Sequence, residues 1–129
     1  MMTRVKHILR PEDGREEPLK DLDFCKRIVL IDKDTVGAQD VTFAYCLWDA
    51  RTSNHVKHTH SNAEEIMYIV SGRAILGVND EEREVQKGDT IWIPRGAVHW
   101  GYNPFDEPME MLVVYSRPSL TEIGYEIVE

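Results

Sequence analysis

Two histidines separated by one residue, His58 and His60, are the side chains of this sequence best suited to hold a metal ion. Side chains alternate between the two faces of an extended strand, so both imidazoles are expected on the same side of a sheet. Glu65 follows five residues after His60, a distance that a short turn can fold back beside the pair. Nitrogen donors with a carboxylate oxygen suit a divalent first-row metal. One further histidine would complete such a site, and His99 is the candidate for it.

The segments around these residues resemble the two sequence motifs of the cupin family. The first motif is matched by His58, His60, Glu65 and Gly72, and the second by Gly88, Pro94, Gly96, His99 and Asn103. The family's first motif usually begins with a glycine six residues before the first histidine, where this chain has Thr52. This difference affects the shape of the loop before the segment that carries His58 and His60. The histidine and glutamate positions of the two motifs are unchanged.

The resemblance implies an all-β fold, a double-stranded β-helix or jelly-roll barrel, with one divalent transition metal per chain. The implied ligands are His58, His60, Glu65 and His99, and Glu65 is also a catalytic candidate that alternates between ligand and base, as is proposed for flavonol-cleaving relatives. Neutral imidazoles and one carboxylate leave a dication with a net positive charge and Lewis acidity. The metal's identity stays open among Fe, Mn, Ni, Co, Cu and Zn.

Several neighbouring residues are weaker candidates. Strand alternation turns Glu64 away from Glu65, although the two would exchange roles if the turn placed Glu64 inward. Alternation also turns His55 away from His58, although His55 could instead line the mouth of the site. Arg51 and Arg95 could bind a substrate carboxylate through two hydrogen bonds, or simply be solvated. Candidates for the pocket wall, each of which could equally pack in the core or at an interface, are Tyr45, Met67, Trp92, Trp100, Tyr102 and Met111.

Composition limits the classes of protein and partner. A chain of 129 residues and 14.9 kDa is the size of one domain. A net charge of −8 argues against nucleic acid or an anionic membrane surface as a partner. With no long apolar stretch and no apolar signal region near its start, the sequence predicts a cytoplasmic protein. We expect Cys25 and Cys46 to be reduced packing residues there.

Short β-rich segments separated by glycine, proline and acidic turns recur along the chain and show no helical period, which indicates an antiparallel barrel or sandwich. We assign residues 1–22 to an irregular N-terminal arm, 23–118 to the barrel and 119–129 to a tail that forms a helical turn or crosses the barrel's edge. The strand at 41–48 places Val41, Phe43, Tyr45 and Leu47 on one face.

The strand that begins at Glu65 is apolar on both faces. Met67 and Ile69 share a face with Glu65, and the opposite face presents Ile66, Tyr68 and Val70. Such a strand must be covered twice, by a second sheet on one side and by further protein on the other. We therefore expect a homodimer.

The function most consistent with these features is a metal-dependent enzyme acting on a small oxygenated organic substrate, with a dioxygenase favoured. A lyase, decarboxylase or isomerase that uses the metal without redox change is the first alternative. The second alternative is a module that binds a small molecule without transforming it. Fold and ligand set do not determine the reaction.

Overall fold

Strands account for nearly all the regular structure in the computed structural model, which describes residues 6–18, 24–53 and 56–128. The strands, β1 to β11 in chain order, are Arg15–Glu16, Cys25–Ile31, Thr42–Trp48, His58–Thr59, Glu65–Ser71, Arg73–Val78, Glu81–Gln86, Thr90–Ile93, His99–Tyr102, Met109–Tyr115 and Glu126–Ile127. Two 3-10 helices, Pro11–Asp13 and Leu120–Glu122, flank them.

The strands form two antiparallel sheets. The six-stranded sheet has the order β1-β2-β3-β10-β5-β8, and the five-stranded sheet has the order β11-β4-β9-β6-β7. Strands β3 and β10 lie side by side in the sheet although they are far apart in sequence, and β4 pairs with β9 in the same way. This arrangement confirms the predicted jelly-roll barrel.

The core lies between the sheets and contains every second residue of the long strands. In β3 the buried side chains are Thr42, Ala44, Cys46 and Trp48. Phe43, Tyr45 and Leu47 do share a face, as predicted, but it is the half-buried outer one, and Val41 is 41% exposed. Alternation identifies two faces without indicating which one the second sheet covers.

Strand β5 is covered on its inner face alone within this chain. Glu65, Met67 and Ile69 are buried against the second sheet, as the alternation predicted. On the outer face Ile66 is 46% exposed and Tyr68 is 45% exposed. The prediction of a homodimer, which would cover this outer face, stays a prediction.

The loop before β4 explains how the chain accommodates Thr52 in place of the family's glycine. Arg51, the preceding residue, takes the left-handed conformation with φ 60°. Thr52 is anchored because its hydroxyl accepts a hydrogen bond from the Asn103 backbone N–H at 2.9 Å. Asn103 is fully buried, and its side-chain amide donates to the carbonyls of Asp49 and Glu107. Contacts with Asn103 therefore hold Thr52 in this loop.

Both flanking segments add short strands to the barrel. In the described part of the arm, β1 pairs with β2, and the tail contributes a 3-10 helix followed by β11, which pairs with β4. The division into arm, barrel and tail stays a prediction. Cys25 and Cys46 are buried free thiols, as expected. Among the described residues, no helix has the length and apolar character needed to cross a bilayer.

Candidate metal centre

Two short strands bring the predicted histidines together. His58 of β4 lies directly opposite His99 of β9, and their ring centroids are 4.0 Å apart. His60, just after β4, has its ring centroid 4.9 Å from that of His99. One nitrogen from each ring lies within 4.8 Å of the others, so these three histidines could hold a metal ion. Residues far apart in sequence therefore converge on one point inside the barrel.

Glu65 completes the group as the first residue of β5, in the opposite sheet. Its Oε1 lies 3.3 Å from His60 Nε2 and 3.3 Å from His99 Nε2. Glu65 Oε1 and His99 Nε2 are both buried, and neither makes a hydrogen bond of acceptable geometry. Buried polar atoms without hydrogen bonds are costly, and a cation between them would satisfy both. This donor set fits a divalent metal.

The other ring nitrogen of each histidine faces a backbone carbonyl. If Nδ1 carries the proton and donates there, Nε2 keeps a lone pair that points inward, the arrangement typical of metal-binding histidines. The contacts are His58 Nδ1 with the Val56 carbonyl at 3.0 Å, His60 Nδ1 with the Gly124 carbonyl at 2.7 Å, and His99 Nδ1 with the Ala97 carbonyl at 3.1 Å. The backbone thus orients all three rings before any ion arrives.

Burial and mutual proximity shift the pKa values of His58, Glu65 and His99. Burial, reinforced by the adjacent His99, lowers the pKa of His58 to about 4, so this ring is neutral near pH 7. Burial alone would raise the pKa of Glu65, but the imidazoles of His60 and His99, each 3.3 Å away, outweigh burial and lower the value to about 2. For His99, burial lowers the pKa, but the Glu65 carboxylate more than reverses this and raises it. A buried carboxylate is thus kept ionised beside imidazoles.

Two tyrosines lie against the histidines. The ring of Tyr115, at the end of β10, meets that of His60 edge-on at 5.6 Å. Tyr125 of the tail stacks on His58, with centroids 5.0 Å apart and an interplanar angle of 27°. Burial, with Glu65 nearby, raises the pKa of Tyr115 well above its usual value, so its phenol stays protonated. Neither tyrosine was identified from the sequence as a neighbour of the histidines.

An apolar cavity of about 50 Å³ opens onto His58, Glu65 and His99. Of the predicted wall residues, Met67, Trp100 and Met111 do line it. Tyr45, Trp92 and Tyr102 do not, so for these three the prediction was wrong. Tyr45 and Trp92 lie on the outer face of the six-stranded sheet, and Trp92 is 62% exposed. Trp48, Leu76 and Ile91 also line the cavity and were not predicted from the sequence.

The remaining candidates lie away from the cavity. Glu64 is exposed and accepts a hydrogen bond from Trp92 Nε1 at 2.9 Å, which confirms that it faces away from Glu65. Arg51 forms an exposed ion pair with Asp106 at 2.9 Å, and Arg95 is exposed. Neither arginine lines the cavity, so neither is placed to bind a substrate carboxylate there. His55 falls outside the described residues.

Comparisons with known proteins agree with this architecture. Uncharacterized protein MJ1618 of Methanocaldococcus jannaschii is 38% identical over 77 residues, which cover 60% of this chain and 61% of that protein. The chain thus spans less than two thirds of the length of this curated relative. The polyketide cyclase RemF from Streptomyces resistomycificus superposes over 100% of this chain and 87% of RemF, with TM-score 0.76 and 24% identity. Oxalate decarboxylase of Lactobacillus farciminis superposes over 91% of this chain and 34% of its own, with TM-score 0.72 and 25% identity.

A family model described as "Cupin domain" matches residues 48–115. That range begins at Trp48 in the cavity wall, includes His58, His60, Glu65 and His99, and ends at Tyr115 beside His60. It therefore covers the whole donor group and more than half of the sequence. This protein belongs to the cupin family.

Proposed function

We propose that the protein is a metal-dependent enzyme that acts on a small oxygenated organic molecule, with oxidation by dioxygen as the leading reaction. The observation that carries the proposal is the position of the donor group. Three imidazoles and a carboxylate converge at one end of an otherwise apolar cavity, and two of their atoms lack hydrogen bonds. A divalent metal bound there would supply Lewis acidity to a chelating substrate and, if redox-active, reactivity towards dioxygen.

The chain's own residues favour a reaction from which water is excluded. Trp48, Leu76 and Met111 line the cavity around the donors. Dioxygen is apolar and partitions readily into such surroundings, whereas free water finds few hydrogen-bond partners there. Tyr115 packs against His60, and Tyr125 stacks on His58. A reactive substrate anion held here is therefore shielded from solvent.

Glu65 supports a second candidate, a lyase, decarboxylase or isomerase that moves a proton without redox change. Its carboxylate lines the cavity, and its low pKa keeps it ionised. Such a group can accept a proton from a substrate carbon if that carbon lies within hydrogen-bond distance. Tyr115, which also lines the cavity, stays protonated because burial raises its pKa, so its phenol is not available to accept a proton. Glu65 would be the base in this reaction.

The first test is the metal content of protein purified without added metal, combined with oxygen uptake on catechol-like, flavonol and diketone compounds. Stoichiometric Fe, Mn, Ni, Co or Cu with substrate-dependent oxygen uptake is the expected result. His99→Ala serves as the control, because it removes one donor and should abolish uptake. Product formation under argon with the same compounds would instead favour the second candidate. Binding without any product would reduce the protein to a binding module.

A further inference from the structure

The tail contacts the donor group although it lies outside the region that the family model matches. That match ends at residue 115, and the described part of the tail covers residues 119–128. In the tail, the Gly124 carbonyl oxygen lies 2.7 Å from His60 Nδ1, 64 residues away in the sequence. The Nδ1 atoms of the other two histidines instead face carbonyls only two residues before them. His60 is therefore the ring whose hydrogen-bond acceptor is supplied by a distant part of the chain.

The tail also pairs with the short strand that leads into His60. Strand β11 is the outer neighbour of β4, with Ile127 opposite His58. On its other side β4 has one registered pair, His58 with His99. A strand of two residues gains few hydrogen bonds from a single neighbour, so β11 supplies a large part of the pairing that fixes β4.

Hydrogen bonds at both ends extend this pairing. The Val128 N–H donates to the Lys57 carbonyl at 2.8 Å, and the Asn62 N–H donates to the Ile123 carbonyl at 3.0 Å. Ile123 is buried in the core, which anchors the start of the paired segment. The tail thus follows the chain from Lys57 to Asn62, the stretch that carries both histidines of the first motif.

Gly124 allows the tail to approach the histidine segment this closely. Its φ of 78° lies in the left-handed region, where an L side chain is strained. A Cβ at this position would also lie 2.6 Å from Ser61 Oγ and 3.2 Å from the Ser61 backbone nitrogen. A larger residue must therefore push the tail away from Ser61, and the carbonyl that faces His60 moves with it.

The contact with Gly124 selects one form of the His60 ring. A carbonyl oxygen can only accept, so a hydrogen bond forms there only when His60 Nδ1 carries the ring proton. Nε2 then keeps its lone pair, and this nitrogen lies 3.3 Å from Glu65 Oε1. Tyr125, the next residue of the tail, stacks on His58 with ring centroids 5.0 Å apart. Building on the metal centre of the proposed function, we propose that the tail positions His58 and His60 for the metal, with the Gly124 carbonyl holding His60 in its metal-binding form.

A tail that positions metal ligands must also respond to the metal. If docking of the tail raises the metal affinity by a given factor, bound metal stabilises the docked tail by the same factor. Removal of a group that orients a metal ligand typically lowers the affinity by about 10–100-fold. Hydrogen exchange at the Val128 and Asn62 amides, which bond across the pairing, should therefore slow by at least about tenfold when cobalt(II) is added to the metal-free protein. This measurement needs no variant.

Gly124→Ala tests the positioning role directly. It should lower the affinity for cobalt(II), measured by calorimetry on the metal-free protein, by at least about tenfold. Gly37→Ala is the matched control, because Gly37 has φ 77° but a Cβ there meets nothing within 4 Å, and it should bind cobalt(II) as the wild type does. Ser61→Ala added to Gly124→Ala removes the Oγ atom that the new Cβ meets and should recover part of the lost affinity.

Proton NMR of the cobalt(II)-loaded protein distinguishes positioning from a general loss of stability. Each ligand imidazole with a hydrogen-bonded Nδ1–H should give a paramagnetically shifted, exchangeable signal, so the wild type should show three. Gly124→Ala should lose the His60 signal through faster exchange and keep the other two. Wild-type affinity with three unchanged signals in Gly124→Ala, or exchange at Val128 that does not respond to cobalt(II), would overturn the inference. Failure of the wild-type protein to take up any metal would instead overturn the proposed function on which it rests.

Discussion

His58 and His99 occupy directly opposite positions in β4 and β9, with ring centroids 4.0 Å apart, although 40 residues separate them in the chain. The pairing of these two short strands therefore assembles half of the donor group by backbone hydrogen bonding. Each ring is further fixed through Nδ1 to a carbonyl two residues before it in the sequence, Val56 for His58 and Ala97 for His99.

We predict that His58→Ala or His99→Ala removes most of the bound metal and leaves the β-rich far-ultraviolet spectrum largely intact. Loss of a donor should lower metal affinity by more than the roughly 10–100-fold that follows from removing a group that merely orients a ligand. Metal analysis after dialysis against a weak chelator measures this. Thr59→Ala, the neighbouring residue of β4, is the matched control. Full metal retention in both histidine variants would refute the assignment.

Glu65→Gln keeps the shape of the side chain and removes its negative charge. Because Glu65 Oε1 lies 3.3 Å from both His60 Nε2 and His99 Nε2, we expect metal affinity to fall by at least about tenfold. Isothermal titration of the metal-free protein measures the change. Glu64→Gln, one residue earlier on the exposed face, should bind metal as the wild type does. An equal loss in both variants would show that net charge, and not the position of Glu65, controls binding.

Local spacing was sufficient to find three of the four candidate donors, whereas His99 was identified through its match to the second cupin motif. His58 and His60 are two residues apart, so strand alternation alone places them together, and Glu65 needs only one turn to return beside them. Tyr125 has no comparable signal, because its contact with His58 depends on the pairing of Glu126 in β11 with Thr59 in β4. Such long-range register is set by the whole fold and leaves no trace in a short motif.

The choice between inner and outer faces was harder to derive. In β3 both faces carry apolar residues, and the core takes the one with Ala44, Cys46 and Trp48, not the one with Phe43 and Tyr45. Alternation alone does not distinguish two such faces, because the position of the second sheet decides which one is covered. The wrong placement of Tyr45 in the pocket wall follows from this.

The pH dependence of stability should report the burial of His58. Its pKa falls from 6.5 in the unfolded chain to about 4 in the folded protein. Between these values the unfolded state binds more protons, so the free energy of unfolding decreases as the pH falls from 6.5 to 4, by on the order of 3 kcal/mol. His99 changes the free energy of unfolding in the opposite direction. Its raised pKa adds stability at low pH, and this stability is lost as the pH rises through the folded-state pKa.

The contribution of His58 can be isolated by difference. Urea unfolding of the chelator-treated protein at several pH values between 4 and 7 should show a smaller acid-induced loss in His58→Gln than in the wild type. Subtracting the unfolding free energy of the variant from that of the wild type at each pH cancels the contributions of the titrating groups that both proteins contain. Parallel curves for both proteins across this window would contradict the depressed pKa.

Gly72 and Gly37 form a matched pair for testing the turn between β5 and β6. Both have φ near 77°, which an L side chain adopts only with strain. A Cβ at Gly72 would also overlap the Pro108 carbonyl, whereas at Gly37 it would meet nothing within 4 Å. We expect Gly37→Ala to cost about 1 kcal/mol of unfolding free energy and Gly72→Ala about 2–3 kcal/mol more. Equal losses by urea titration would mean that the turn adjusts without strain.

The outer face of the six-stranded sheet should pack against a second copy of the chain. Tyr45, Leu112 and Tyr68 form a continuous row across β3, β10 and β5, and the exposed Ile66 and Trp92 are paired beside it. Such an apolar face is typical of a surface that is covered by protein.

A second copy of the chain can cover this face because the carboxylate that lies on it, Glu110, already accepts hydrogen bonds within its own chain. The Glu110 carboxylate accepts hydrogen bonds from Ser71 Oγ at 2.6 Å and from the Tyr45 hydroxyl. Two chains with a charge of −8 each can therefore meet here without burying an unpaired carboxylate. We expect a dimer in sedimentation equilibrium, and Tyr68→Lys should weaken it by at least about tenfold because each interface would bury an added ammonium group. Glu84→Lys, which introduces the same side chain on exposed β7 and changes the net charge by even more, should leave the dimer intact. A monomeric wild-type protein at micromolar concentration would contradict this assignment of the face.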